Sequence, residues 1–258
     1  MYKWDRAPLA PIGGHLSPDD APPPAWRRLA EVAWHLPRML SGLGPLGPRG
    51  PNDGPPALVI PGFLATDRTT MELRRALARA GWRAHPWLLG VNTGAKPNTM
   101  DLLQSRLDLI AEESGQKVLL VGWSLGGMFA RQLACRAPEG VRAVVTLGSP
   151  FSGDLKGNTN VRAFYEWVAG HDVNTPPFER IMGKPPVPTL AIWSRRDGIV
   201  APAAARGLAN EVDKAIEVDA GHMELVVWRP ALSRITREIH KFLTEQEGHE
   251  PVMGTLAA

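Results

Sequence analysis

The feature that most constrains the fold is the stretch from residue 117 to residue 137, where an apolar run leads into a serine flanked by glycines. The run KVLLVG has the continuous apolar character of a strand buried on both faces. Residues 125–137 follow with a helical pattern, and Ser124 stands between strand and helix. Gly122 and Gly126 lie two residues to either side of it. This spacing predicts a turn so tight that a Cβ at either glycine would collide with the chain.

The same alternation of apolar runs and helical patterns continues from residue 57 towards the C-terminus. Continuous apolar strands that alternate with helices indicate a parallel sheet covered on both faces. We therefore predict an α/β fold with about six mostly parallel strands, helices on both faces and a small helical cap. The predicted strands are 57–60, 83–89, 117–122, 141–148, 189–194 and 215–219; the predicted helices are 67–81, 99–114, 125–137 and one opened by Pro230.

The domain organisation follows from where this pattern begins and ends. Residues 57–246 form the predicted α/β domain, and residues 149–188 form the cap insertion within it. Residues 1–56 are a Pro/Gly-rich extension with one basic amphipathic helix, which packs on the domain or lies on a membrane surface. A G-x-G-x-x-G at 42–47 lacks a preceding strand, so it is not a dinucleotide fingerprint. Residues 247–258 are a tail.

Composition and charge exclude several classes of protein. The net charge is only +3 and there is no dense Lys/Arg block, so nucleic-acid binding is not expected. Cys135 is the only cysteine, which excludes an internal disulfide and fits a reducing compartment. There is no signal-peptide core and no apolar run of membrane-spanning length. We expect a cytoplasmic protein without stable membrane insertion; its oligomeric state is left open.

Ser124, between a buried strand and a helix, has the setting of a nucleophile elbow, G-x-S-x-G. A serine hydroxyl needs a base, which in turn needs an acid to orient it, and in this arrangement each follows a later strand. Asp197 follows the strand 189–194 and His222 follows the strand 215–219. Asp219 and Glu224 are also near His222 in sequence, but we expect Asp219 at a strand end and Glu224 pointing away. The predicted triad is Ser124, His222 and Asp197.

An oxyanion hole needs two backbone N–H groups near the serine. Leu125, directly after the nucleophile, supplies one. The loop 60–67 after the first strand supplies the other, from Phe63 as first choice and Leu64 as second. The histidines show no metal-ligand spacing, and we predict neither a metal nor a cofactor.

The chain resembles the α/β-hydrolase family, and within it the bacterial lipases and carboxylesterases. The motifs that carry the resemblance, within residues 57–246, are PGF (61–63), GWSLGG (122–127), VTLGSPFSG (145–153), RDGIV (196–200) and GHMEL (221–225). The resemblance implies the α/β-hydrolase fold and a serine hydrolase acting on carboxylic esters. Many relatives carry His-Gly before the oxyanion donor; Pro61-Gly62 here favours the lipase-like branch.

Aromatic and apolar residues of the cap and the elbow predict an acyl-binding pocket for short to medium chains of a small-molecule ester. An acyltransferase or thioesterase using the same triad, a perhydrolase or lactonase, and a non-catalytic binding protein remain alternatives. The predicted pocket residues are Leu64, Trp123, Phe151, Phe164, Trp167 and Met223.

Overall fold

A computed structural model describes two long segments of the chain, residues 54–153 and 183–248. It also describes the short pieces 23–24, 26–27, 166, 169–170, 172, 176–178 and 181. Most of the predicted N-terminal helix, most of the predicted cap and most of the predicted C-terminal tail lie outside the described residues. The division into extension, domain, cap and tail therefore stays a prediction.

Six parallel strands form one sheet in the described part of the chain, as predicted. Along the sheet the order is β2-β1-β3-β4-β5-β6, and every neighbouring pair is parallel. The strands are β1 (Pro56–Ile60), β2 (Arg83–Pro86), β3 (Val118–Trp123), β4 (Val141–Leu147), β5 (Thr189–Trp193) and β6 (Lys214–Glu217).

Helices cover both faces of the sheet because the central strands are apolar on both sides. Alternate residues of β1 and β3, such as Val59 and Val121, pack against helices on one face; their neighbours Leu58 and Leu120 pack on the other. The first face carries α1 (Met71–Arg79), α5 (Glu224–Val227) and α6 (Arg229–Glu247), and the second carries α2 (Thr99–Ser114) and α3 (Leu125–Arg136). The short helix α4 (Pro202–Arg206) lies between β5 and β6.

Two predicted boundaries differ from the structure near β2. The predicted helix 67–81 begins only at Met71, because residues 66–70 form turns and the Asp67 carboxylate accepts backbone N–H groups from Trp87 and Leu88. The predicted strand 83–89 ends at Pro86, and Leu88 then takes a positive φ of 63°. The loops after β1 and β2 are thus tied to each other.

The direction of the strand order reverses at β1. The chain passes from β1 outward to β2 on one side, then returns to β3 on the other side of β1. Connections that leave neighbouring strands in opposite directions open a crevice at the carboxyl ends of those strands, which is where ligands bind in open α/β sheets. The loop 61–67 after β1 and Ser124 after β3 border this crevice.

The described helices include none that is both long enough and apolar enough to cross a membrane.

Candidate active site

Ser124 occupies a strained turn between β3 and α3. Its φ is 53° and its ψ is −122°, a conformation that non-glycine residues rarely adopt. The Ser124 backbone N–H donates to the Leu147 carbonyl oxygen at 2.9 Å, which fixes the turn to the end of β4. The side chain is half-buried. Strain of this kind persists where surrounding contacts enforce it, and it is common at functional sites.

The flanking glycines permit the backbone to approach itself closely, as the sequence predicts. A Cβ at Gly126 would overlap the Ile60 carbonyl oxygen, and a Cβ at Gly122 would overlap the backbone of residues 126 and 127. Strand β1, strand β3 and the first turn of α3 therefore meet with no room for a methyl group.

Replacing Gly126 with alanine will destabilise the protein although alanine is the better helix former. In an exposed helix this change stabilises by about 1 kcal/mol; here the backbone of Ile60 and Pro61 must move, and overpacking of this kind costs about 1–3 kcal/mol or more. Gly140→Ala is the matched control, since its Cβ would meet only Leu107 side-chain atoms at 3.5 Å or more. Thermal melting of both variants tests this, and equal melting temperatures would contradict it.

His222 and Asp197 form a buried pair. His222 Nδ1 and Asp197 Oδ2 are 2.7 Å apart, and the two residues are 4% and 1% exposed. When Nδ1 carries the proton it donates to the carboxylate, which makes Nε2 the acceptor nitrogen of the neutral ring. The arrangement suits a histidine that accepts a proton through Nε2.

The second carboxylate oxygen of Asp197 is held by the backbone. Oδ1 accepts N–H groups from Ile199 and Val200, both at 2.8 Å. These two bonds and the histidine fix the carboxylate plane. The rival acids are placed differently: Asp219 is exposed and 3.4 Å from Arg196, and Glu224 is buried and accepts the Gly221 N–H at 2.8 Å.

Trp123 contacts the loop that carries His222, which we call the histidine loop. Its indole Nε1 donates to the His222 carbonyl oxygen at 3.1 Å, and the two ring centroids are 5.3 Å apart. The side chain is only 4% exposed and belongs to the core between the sheet and α6. In this position it contacts His222 directly, a role that sequence reasoning did not assign to it.

Replacing Trp123 with phenylalanine keeps a ring beside His222 and removes the hydrogen bond to its carbonyl. A buried hydrogen bond contributes about 1 kcal/mol, so we expect the loss of this bond to displace the histidine loop and to lower kcat for an ester roughly fivefold. Steady-state kinetics and thermal melting on the same preparation are the measurements. A lower melting temperature with unchanged kcat would make the indole bond purely structural.

The loop after β1 lies against the serine. A Cβ at Gly62 would be 3.1 Å from Ser124 Cβ, so the backbone of this loop is within reach of the Ser124 side chain. Leu64 has a positive φ of 56°, and its N–H donates to the Asn92 carbonyl oxygen at 2.7 Å. Leu125 is the first residue of α3, where an N–H has no acceptor within the helix. Phe63 is half-buried and packs beside the core under α2 and α3.

The predicted pocket residues do not all face one space. Leu64 is 43% exposed, whereas Phe151 is 7% exposed and its ring centroid lies 4.1 Å from the Arg131 guanidinium carbon. Met223 is half-buried and packs beside the core that contains Trp123. Phe164 and Trp167 lie outside the described residues. The acyl pocket therefore stays a prediction.

The described residues support neither a cysteine nucleophile nor a metal centre. Burial raises the pKa of the Cys135 thiol on α3, and Arg131 opposes that shift only in part, so this thiol is not an activated nucleophile. Among the residues that the structure describes, no three His, Cys, Asp or Glu side chains are grouped to hold a metal ion.

Comparisons with known proteins agree with this architecture. The family model described as "alpha/beta hydrolase fold" matches residues 98–174, which include β3, the elbow and β4. No curated protein matches the chain at a significant level.

Many solved structures are similar in fold at low sequence identity. An α/β-hydrolase enzyme from the sediment metagenome of the Mar Chica lagoon, Morocco, has a TM-score of 0.53 at 18% identity, covering 76% of this chain and 94% of its own. A lipase-esterase related protein from Clostridium acetobutylicum scores 0.54 at 17% identity, covering 75% and 97%. The monoacylglycerol lipase of Paleococcus ferrophilus scores 0.50 at 18% identity, covering 77% and 96%.

The chain has the α/β-hydrolase fold, and the resemblance to that family is confirmed. Its structural neighbours include esterases and lipases.

Proposed function

We propose that this protein is a serine hydrolase that cleaves carboxylic esters through an acyl-enzyme. The observation that carries the proposal is the buried His222–Asp197 pair, 2.7 Å apart, at the same sheet edge as a serine held at a φ of 53°. A strained serine alone would be a structural turn, and a buried His–Asp pair alone would be a core hydrogen bond. Both lie near the end of β4: the Ser124 N–H donates to the Leu147 carbonyl oxygen, and a Cβ at the next residue, Gly148, would be 2.9 Å from Asp197 Oδ2. A serine near such a pair is what catalysis by this kind of triad requires.

The proposed reaction has two symmetrical halves. Ser124 Oγ attacks the ester carbonyl carbon while His222 Nε2 takes the serine proton, and the carbonyl oxygen becomes an oxyanion held by the N–H groups of Phe63 and Leu125. The tetrahedral intermediate expels the alcohol, which receives the proton from His222. Water then attacks the acyl-enzyme and gives a proton to His222; the bond to Ser124 Oγ breaks, Oγ takes that proton back from His222, and the acid leaves.

Asp197 keeps its charge throughout these steps. It orients the imidazole through Nδ1 and stabilises the imidazolium formed in each half-reaction. The two backbone N–H groups on Oδ1 hold the carboxylate in place while the histidine changes charge. No metal or cofactor enters this scheme.

Hydrolysis of a series of p-nitrophenyl esters, from acetate to laurate, tests the proposal. We expect saturable turnover with the highest kcat/KM at short to medium chains, since an acyl pocket contributes binding in proportion to the apolar surface it buries. Absence of turnover above that of an equal concentration of free imidazole would contradict the proposal and favour a binding protein on this fold.

A further inference from the structure

Asn92, in the loop after β2, is buried and makes three hydrogen bonds to the loop after β1. Its backbone N–H donates to the Ala65 carbonyl oxygen at 2.9 Å, and its backbone carbonyl accepts the Leu64 N–H at 2.7 Å. Its side-chain Nδ2 donates to the Pro61 carbonyl oxygen at 2.8 Å. Only 1% of the residue is exposed. One residue therefore fastens both ends of the segment 61–65.

The segment between these fastenings contains the proposed oxyanion donor. Phe63 lies between Pro61 and Leu64, and Gly62 brings the same backbone against Ser124. The amides of Leu64 and Ala65 are directed to Asn92 and to the Gly62 carbonyl. The peptide groups on either side of the Phe63 N–H are those that carry the Pro61 carbonyl and the Leu64 N–H, and Asn92 binds both of them. Asn92 therefore fixes the orientation of the Phe63 N–H between them.

Both the nitrogen and the oxygen of the Asn92 side-chain amide make a hydrogen bond. Nδ2 donates to the Pro61 carbonyl oxygen, and Oδ1 accepts the Gly94 N–H at 3.2 Å. If the amide were turned by 180°, Oδ1 would face the Pro61 carbonyl oxygen and Nδ2 would face the Gly94 N–H. Both hydrogen bonds therefore indicate the same orientation of the amide. An aspartate is acceptor-only when ionised and would repel the Pro61 carbonyl. A positive φ of 56° at Leu64, inside the clamped segment, is the kind of strain that such fastening sustains.

We propose that Asn92 is a positioning residue for the oxyanion hole: its hydrogen bonds to Pro61, Leu64 and Ala65 aim the Phe63 N–H at the developing oxyanion. This inference rests on the proposed ester hydrolysis. Catalytic donors act through their preorganised direction, so a small rotation of the Phe63 peptide weakens transition-state binding more than it weakens substrate binding.

The test compares Asn92→Asp with wild type. Removal of one oxyanion donor lowers kcat by about 10²–10³-fold, and misdirection of a donor is a partial loss, so we expect a fall of about 10–100-fold with KM changed less than threefold. An alkyl boronic acid, which forms a tetrahedral adduct with the serine, should bind more weakly by a similar factor. Asn98→Asp, at an exposed asparagine before α2 without a side-chain capping bond, is the matched control and should leave both values unchanged.

A merely structural role predicts a different result. Asn92→Asp would then lower the melting temperature while kcat and boronate affinity of the folded fraction stay at wild-type values, and that result would overturn the inference. Asn92→Ser, which removes the side-chain amide without adding charge, is assessed by the same criteria where Asn92→Asp does not fold. Failure of both variants to fold would also overturn it, because Asn92 would then be required for the fold itself.

The same experiment separates this inference from the proposed function. Wild-type protein that neither hydrolyses esters nor binds the boronic acid contradicts the hydrolase proposal as a whole. Wild-type protein that does both, with Asn92→Asp unchanged in both, contradicts only the role of Asn92.

Discussion

Replacing Ser124 with alanine will lower kcat for ester hydrolysis by about 10⁶-fold, the loss found when the nucleophile of such a triad is removed. The substitution removes one oxygen atom and nothing else, so His222 and Asp197 keep their 2.7 Å contact. Initial rates with a p-nitrophenyl ester, on purified protein free of host esterases, are the measurement. A variant that retains activity within tenfold of wild type would exclude Ser124 as the nucleophile.

The fold of this variant should be unchanged. Alanine and serine share the same Cβ, so the strain at a φ of 53° is the same in both, and the backbone bond from residue 124 to Leu147 does not involve the side chain. A melting temperature equal to that of wild type is therefore the control. It shows that lost activity reflects lost chemistry.

Replacing Asp197 with asparagine will lower kcat by about 10⁴-fold, because the amide imposes the wrong histidine tautomer. Two backbone N–H groups point at Oδ1, so the amide oxygen must occupy that position. The amide nitrogen then faces His222 Nδ1 and donates to it. The ring proton moves to Nε2, which can no longer accept the proton of Ser124.

Asp219→Asn is the matched control for this change. Asp219 is exposed and 3.4 Å from Arg196, and surface ion pairs of this kind contribute about 0–1 kcal/mol. The kcat of Asp219→Asn should therefore stay near the wild-type value. Glu224→Gln keeps an oxygen for the Gly221 N–H and should also be mild. If either control were damaging while Asp197→Asn was mild, the loop 196–200 would not supply the acid.

The sheet and the elbow could be predicted because their signals are local. Apolar runs and helical periodicity define β3 and α3, and the glycines beside Ser124 indicate a close approach that the structure contains. The pairing of Asp197 with His222 could also be predicted, since residues that follow neighbouring parallel strands meet at one sheet edge. Its geometry comes from the structure.

The supporting contacts could not be predicted, because they join segments far apart in sequence through backbone atoms. The Trp123 indole binds a carbonyl 99 residues away, and Asn92 binds one 31 residues away. Every residue has a backbone carbonyl, so the residue type at the accepting position does not indicate such a contact. The contact between the Phe151 ring and the Arg131 guanidinium, 4.1 Å apart, was not predicted either, because aromatic character does not specify which side chain a ring will pack against.

Covalent labelling by a fluorophosphonate tests the central claim, that Ser124 is an activated nucleophile, most directly. Wild-type protein should gain one phosphonyl adduct, located by peptide mass spectrometry at Ser124, and lose esterase activity in proportion. Ser124→Ala should gain none, and Asp197→Asn should label much more slowly because its histidine cannot accept the proton. A wild-type protein that remains unlabelled, or that is labelled at another residue while Ser124 stays unmodified, would contradict the account.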